Sequence, residues 1–334
     1  MNLINKNDSI FIAGHNGMVG SAIKRFLNKN SYRNLLLPKR QDLDLLNYEE
    51  VKKWFKDKKP EVVILAAAKV GGIEANKAYP GDFILENIKI QTNVIENSWK
   101  SGVKRFLFLG SSCIYPKMAL QPLKEEYLLT GPLEKTNEPY AIAKIAGIKL
   151  CSSLKKQYGF NAISLMPTNL YGPGDNYHKE NSHVMPALIR KFYEAKKNNL
   201  KEVICWGTGS PKREFLYVDD LAEACIFVLE NLANNNNNKS NENNTGSNSD
   251  NLINIGTGKD ISIKNLAEII SRELNYEGKI RWETSKPDGT PRKLLNVSKI
   301  NELGWEAKVS LEKGIRLTIK HYEEEMKKNS LRCN

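Results

Sequence analysis

A glycine turn set directly behind an apolar strand constrains this chain more than any other feature. Ser9–Ala13 reads as a short hydrophobic strand, and Gly14, Gly17 and Gly20 follow it in the run GHNGMVG. Glycines there permit a tight turn, close approach of backbone to a diphosphate, and close helix–strand packing. The helix N-terminus beyond the turn meets the phosphate charge. A purely structural turn would use the same residues. The strand on one side and a helix through about Asn28 on the other favour dinucleotide binding.

Strand and helix go on alternating. Leu35–Leu37, Val62–Leu65, Phe106–Leu109 and Ala162–Met166 read as strands, with helices over Phe83–Ser101 and Tyr140–Tyr158. That order predicts an α/β chain: a Rossmann-type doubly wound parallel sheet with a smaller α/β C-terminal substrate domain. At 334 residues the chain is long enough for both. Residues 1–170 and about 213–261 are assigned to the dinucleotide-binding domain, and about 171–212 and 262–334 to the substrate-binding domain. Ala222–Leu232 reads as helix and Leu252–Ile255 as strand. Between them, Asn234–Asn251 is Asn/Ser-rich with almost no apolar residue, which predicts a disordered surface insertion.

Charge and cysteine usage narrow the function classes. The net charge is +12, but lysines such as Lys52-Lys53, Lys155-Lys156 and Lys196-Lys197 are spread over helix surfaces. A nucleic-acid binder would gather them on one face with aromatic residues between. A solvated basic surface that attracts phosphate-bearing ligands is the better reading. Five scattered cysteines without a CxxC pair argue against a disulfide framework or a zinc site and fit a reducing, cytoplasmic setting. No apolar run approaches the roughly 20 residues of a membrane span. The N-terminus lacks the apolar core and cleavage site of a signal peptide.

The end of the second strand bears on the cofactor. An acidic residue there would accept from a ribose 2′-hydroxyl. This chain has Lys39 and Arg40 instead, which suit a 2′-phosphate and favour NADP(H) over NAD, unless they are only two solvated loop charges. For the chemistry, Tyr140 and Lys144 stand at i and i+4 on one helix face. A cation so placed would draw the phenol down from about 10. Ser111 follows the fourth strand, at the carboxyl edge where open α/β sheets bind ligands.

These residues resemble the extended short-chain dehydrogenase/reductase family. The likeness runs through FIAGHNGMVGS (Phe11–Ser21), LAAAKVGGI (Leu65–Ile73), LGSSCIYP (Leu109–Pro116) and NEPYAIAKIAGIK (Asn137–Lys149). It continues through MPTNLYGP (Met166–Pro173), NSHVMPAL (Asn181–Leu188), REFLYVDD (Arg213–Asp220) and SKPDGTPRKLL (Ser285–Leu295). The glycines and YxxxK are shared across the family, whereas SSCIYP, NSHV and KPDGTPRK are restricted to its members that epimerise and reduce a GDP-linked 4-keto-6-deoxy sugar.

The resemblance implies epimerisation at C3 and C5 followed by NADPH reduction at C4. It makes Cys113 the base, His183 the acid, and Ser111, Tyr140 and Lys144 the reductive set. It assigns the cofactor to Gly14, Asn16, Gly17, Met18, Val19, Gly20, Lys39, Arg40, Leu109, Gly110, Lys144, Pro167, Asn169, Leu170 and His183, and the GDP-sugar to Lys191, Trp206, Arg213 and Asp288. Two positions depart from the family: Lys191 replaces a frequent arginine and gives up bidentate contact, and Asn16 stands where some members place an arginine. A cysteine base needs a depressed pKa; buried free cysteine is otherwise a small hydrophobe. The family also implies a homodimer through the helices at Phe83–Ser101 and Tyr140–Tyr158. The competing readings are a 4-epimerase or 4,6-dehydratase of the same family, a non-catalytic dinucleotide sensor, and a nucleic-acid binder.

Overall fold

The computed structural model describes residues 3–233, 251–286 and 288–333. The insertion expected over Asn234–Asn251 lies outside them, apart from Asn251. In chain order the first half runs β1 (Ile10–Ala13), α1 (Met18–Lys29), β2 (Leu35–Leu36), α2 (Tyr48–Lys58), β3 (Val62–Leu65), α3 (Ile73–Ala78), α4 (Pro80–Lys100), β4 (Arg105–Leu109), α5 (Glu138–Tyr158) and β5 (Ala162–Pro167). The second half runs β6 (Asn169–Tyr171), α6 (Val184–Lys197), β7 (Glu202–Trp206), β8 (Lys212–Tyr217), α7 (Val218–Asn231), β9 (Leu252–Ile255), β10 (Asp260–Ser262), α8 (Ile263–Glu273), β11 (Lys279–Glu283), β12 (Arg292–Lys293), α9 (Ser298–Glu302) and α10 (Leu311–Lys327).

Six parallel strands form the main sheet in the order β2-β1-β3-β4-β5-β9. The order reverses between β1 and β3, which opens a crevice at the carboxyl ends of the strands. Every residue of β1, β3, β4, β5 and β9 is buried, because helices cover both faces of a parallel sheet. One apolar layer joins α1 and α7 to the sheet, and the other joins α2, α4 and α5. β2 stops at Leu36, one residue short of expectation. Pro38 offers no N–H to a ladder and restricts the residue before it. α7 starts at Val218, earlier than expected, with Asp219 and Asp220 in its first turn, where acidic side chains suit the helix dipole.

α5 packs closely on α4 and β4. Gly147 allows the approach: a Cβ there would lie 2.5 Å from the Phe108 ring and 2.9 Å from Gln91 Oε1. The Gln91 amide donates to the Ala143 carbonyl at 2.5 Å, which fixes the pair of helices in register. At the start of β4, the buried Arg105 donates to the Val228 and Leu232 carbonyls at 3.2 and 2.7 Å and so closes the C-terminal turn of α7.

A third apolar cluster draws on α6, β7, β8, α8 and α10. Its organising strand is β8. β10 pairs with it antiparallel along Lys212–Glu214. Along its other edge, β12 pairs with Lys212–Arg213 and β6 with Phe215–Tyr217. Glu214 sits at the changeover, fully buried. Its carboxylate accepts from the backbone N–H groups of Thr257, Gly258 and Leu295 at 2.6, 2.8 and 2.8 Å. Among the described residues no helix is long and apolar enough to cross a membrane. No group of His, Cys, Asp and Glu among them could hold a metal ion.

Candidate active site

The glycine turn joins β1 to α1. Gly17 N–H donates to the Gly14 carbonyl at 3.0 Å, and α1 then opens at Met18 with no side-chain cap and no acidic residue in its first turn. Its N–H groups at Met18, Val19 and Gly20 are free to face an anion. A Cβ on Gly20 would fall 2.2 Å from the Gly14 carbonyl oxygen, so only glycine lets the helix come this close to the strand. This cradle fits the diphosphate of a nicotinamide dinucleotide. Asn16 is exposed within the turn, and Lys39 and Arg40 are exposed in the loop after β2. His15, which sequence reading passed over, is buried in the turn. Burial lowers its pKa first, and the charges of Lys24 and Lys39 lower it further, so the Lys39 ammonium lies close to the turn.

β4 ends at Leu109, and Ser111 follows in extended conformation. The Ser111 hydroxyl accepts from Cys113 N–H at 3.3 Å and caps the single 3-10 turn Ser112–Ile114. Lys144 reaches across from α5 and donates to the Leu109 carbonyl at 2.8 Å, with its Nζ 5.8 Å from the centroid of the Tyr140 ring. Burial pushes Lys144 down to about 8. The expectation that this lysine draws the Tyr140 phenol down does not hold: burial pushes the phenol up, and the charge of a Cys113 thiolate would add to that. The ammonium spends its strongest interaction on a carbonyl rather than on the phenol.

The depressed thiol expected at Cys113 is corrected in the same way. Burial pushes the Cys113 thiol up, opposed first by the Lys293 charge, then by the Ser111 hydrogen bond and by Lys144. His183 stands at the N-terminus of α6 with no side-chain capping bond. Its side chain is exposed at the surface, yet the protein packed around the ring, and then the same Lys293 charge, lower its pKa. Lys293 thus neighbours both candidate acid/base residues. It was not singled out from the sequence, although it lies within the KPDGTPRK run. β12 places it opposite Arg213 of β8.

A narrow cleft opens beside this cluster, lined by Cys113, Lys117, Glu134, Asn137, Thr290 and Lys293, among others. Glu134 ties its walls together, accepting from Lys117 at 2.8 Å and from Thr290 at 3.4 Å; these interactions outweigh burial and lower its pKa. The Asn137 amide oxygen is buried and has no hydrogen-bond partner among the described residues. Glu134 and Asn137 carried no signal in the sequence beyond adjoining Tyr140.

Next to Lys293 across the β8–β12 pair, Arg213 is held between burial, which lowers its pKa, and the charges of Asp288 and Glu134, which raise it. Asp288 accepts from Thr208 N–H at 2.7 Å and from its hydroxyl at 2.8 Å, so it shapes the turn after Trp206. Trp206 is half exposed, with Lys191 and Lys286 ammonium groups 5.3 and 5.4 Å from its ring. Lys191 also donates to the Ile204 carbonyl at 3.1 Å. At the carboxyl end of β5, beyond Pro167, Asn169 directs its amide to the Glu214 carbonyl at 2.7 Å, and Leu170 follows it in β6. Gly110 hydrogen-bonds the Leu165 carbonyl and holds the end of β4 to β5.

A glycine cradle at the switch point of a parallel sheet, with a serine, a tyrosine and a lysine at its carboxyl edge, defines a nicotinamide-dependent enzyme of the short-chain type. The chain belongs to the NAD dependent epimerase/dehydratase family, whose pattern matches residues 10–243. It is 54% identical to GDP-L-fucose synthase 1 of Arabidopsis thaliana over 317 residues, which cover 95% of this chain and 94% of the relative. It is 51% identical to the GDP-L-fucose synthase of Escherichia coli (strain K12), over 94% of this chain and 96% of that one. Among solved structures, GDP-mannoheptose C4 reductase from Campylobacter jejuni with NADP bound superposes with a TM-score of 0.85 at 40% identity, over 96% of this chain and 99% of the other.

Proposed function

We propose that the chain catalyses the GDP-L-fucose synthase reaction: GDP-4-keto-6-deoxy-D-mannose is epimerised at C3 and C5 and reduced at C4 with NADPH to GDP-L-fucose. The observation that carries the reading is the neighbourhood of Cys113, Lys293 and the Tyr140–Lys144 pair, in a chain similar to GDP-L-fucose synthases over nearly its whole length.

The C4 ketone acidifies the hydrogens at C3 and C5. Cys113 and His183 exchange protons with those carbons, one removing and the other returning. Lys293 stabilises the Cys113 sulfur while it is a thiolate, before it takes a proton from the sugar or after it gives one to it. The Ser111 and Tyr140 hydroxyls donate to the C4 oxygen, first as enolate and then as alkoxide. Fixed donors aimed at developing charge commonly supply the largest catalytic contribution. Tyr140, whose raised pKa keeps it protonated, delivers the final proton to that oxygen, and Lys144 holds the nicotinamide ribose beside it. The bound nicotinamide supplies the hydride.

Arg213 takes the diphosphate of the GDP moiety, with Lys191, Trp206 and Asp288 around it. Lys39 and Arg40 favour NADPH over NADH, supported by the position of Lys39 at the turn and by the NADP of the Campylobacter relative. Residues 1–170 and about 213–261 are read as the cofactor domain and about 171–212 and 262–334 as the substrate domain, although Phe215 and Tyr217 pack in the third apolar cluster and Ile300 and Trp305 in the first. A homodimer through α4 and α5 and a cytoplasmic setting complete the proposal. The five free cysteines, four of them buried, agree with the latter.

Incubation with the 4-keto sugar nucleotide and NADPH in deuterated water tests the reading, followed at 340 nm and by mass. NADPH consumption with two solvent deuterons in the product is expected. Consumption without deuterium would make the chain a simple C4 reductase, a reading that the burial of Cys113 favours. Loss of deuteron uptake in Cys113→Ser and of reduction in Tyr140→Phe is expected; normal rates in either variant would remove that residue from its role.

A further inference from the structure

Asn254 lies in the middle of β9, away from every group named in the reaction, yet it is one of the most fully used side chains in the protein. It is completely buried. Its Oδ1 accepts from the Tyr115 hydroxyl at 2.5 Å, and its Nδ2 donates to the Leu123 carbonyl at 2.9 Å and to the Asn296 carbonyl at 3.1 Å. Its own main-chain N–H donates to Glu125 Oε1 at 2.9 Å. Both amide hydrogens and the oxygen are thus committed to three separate segments.

Two of those segments lead straight to the candidate acid/base centre. Tyr115 closes the turn that carries Cys113, two residues before it. Asn296 lies three residues beyond Lys293, the last residue of β12. The third segment joins them: Leu123 N–H donates to the Leu294 carbonyl at 2.7 Å, and Asn296 N–H to the Leu123 carbonyl at 2.8 Å.

We infer that Asn254 is a positioning residue that registers the Cys113 turn against the Lys293 strand, and so sets the proton-transfer geometry at C3 and C5; this rests on the epimerase/reductase reading proposed above. The Lys293 charge is the leading interaction that opposes the burial of the thiol. Such an interaction weakens with distance, and more steeply in energy where water is scarce. Tyr140 and Lys144 stand on α5, and none of the hydrogen bonds of Asn254 reaches that helix. Loosening Asn254 therefore slows proton exchange more than hydride transfer. A reduced, un-epimerised product then gains on the doubly exchanged one, because the ketone can be reduced before exchange is complete.

Tyr115→Phe removes one oxygen and keeps the ring. With NADPH and the 4-keto sugar nucleotide in deuterated water, deuteron uptake should slow about tenfold, the order expected for losing one buried hydrogen bond. NADPH oxidation should fall less, and the product should shift from two deuterons towards none. Asn254→Asp keeps the acceptor for Tyr115 but turns the donors to Leu123 and Asn296 into lone pairs, and the same shift is expected. Should that variant not fold, Tyr115→Phe decides alone. An unchanged two-deuteron fraction, or uptake and oxidation falling by the same factor, would overturn the inference. Wild-type product free of deuterium would instead overturn the underlying epimerase reading.

Discussion

Gly147→Ala joins the packing of α5 to the chemistry at its N-terminal end. The added methyl would meet the Phe108 ring at 2.5 Å and Gln91 Oε1 at 2.9 Å. Both partners are buried, and Gln91 is itself tied to the Ala143 carbonyl. Ordinary carbon–carbon contact needs roughly 3.5 Å, so α5 must retreat by about 1 Å. Overpacking of this kind costs up to about 3 kcal/mol, offset by about 1 kcal/mol from the better helix propensity of alanine. A net loss near 2 kcal/mol is expected in urea unfolding. Lys144 lies one turn away. A retreat of about 1 Å takes its 2.8 Å bond to the Leu109 carbonyl beyond hydrogen-bond length. Misplacement of that size can cost roughly 100-fold in rate, so the NADPH oxidation rate should drop by at least about tenfold. Wild-type stability would refute the packing argument. Lower stability with an unchanged rate would refute the coupling to Lys144.

Three further outcomes are expected. The imidazole of His183 is shifted down and the thiol of Cys113 up, so between the ordinary values of 6.5 and 9.0 the pair holds one titratable proton. Deuteron uptake should be flat across that window, falling only at lower pH as His183 gains a proton and at higher pH as Cys113 loses one; a slope through neutrality would contradict the shifts. Lys39→Glu should raise the KM for NADPH by about tenfold or more, the scale of one charge-assisted hydrogen bond, and leave that for NADH nearly unchanged. Equal changes for both cofactors would free Lys39 from the 2′-phosphate. Arg105→Ala should cost about 3 kcal/mol through a cavity and the unpaired Leu232 carbonyl without moving either KM, as read from denaturant midpoints and steady-state kinetics.

The strands buried along their whole length were legible in the sequence, so β3 in the middle of the sheet and β9 at its edge both stand at the expected residues. The boundaries that moved did so at proline and at acidic first turns, where one residue outweighs the apolar pattern. Tyr140 and Lys144 were readable as a pair because i and i+4 share a helix face. Their protonation was not readable, since the carbonyl that engages Lys144 lies 35 residues away in sequence. Lys293 escaped notice for a related reason: a lysine among charged and polar neighbours acquires meaning only when β12 sets it opposite β8. Glu134 and Asn254 are further cases, polar residues whose partners are gathered by tertiary packing.

The divided edge of β8 bears on how the two ligands sense each other. Its first residues, with Arg213, are paired to the strand of Lys293, and its last to β6, next to Asn169 at the cofactor crevice. A strand that short moves as one piece. Any free energy gained by tightening its grip on a sugar nucleotide is then partly felt at the dinucleotide, and the reverse must hold by the same factor. On the ligand assignments proposed above, coenzyme and substrate affinities should be one linked quantity, and a cofactor titration repeated with saturating GDP would read the linkage directly.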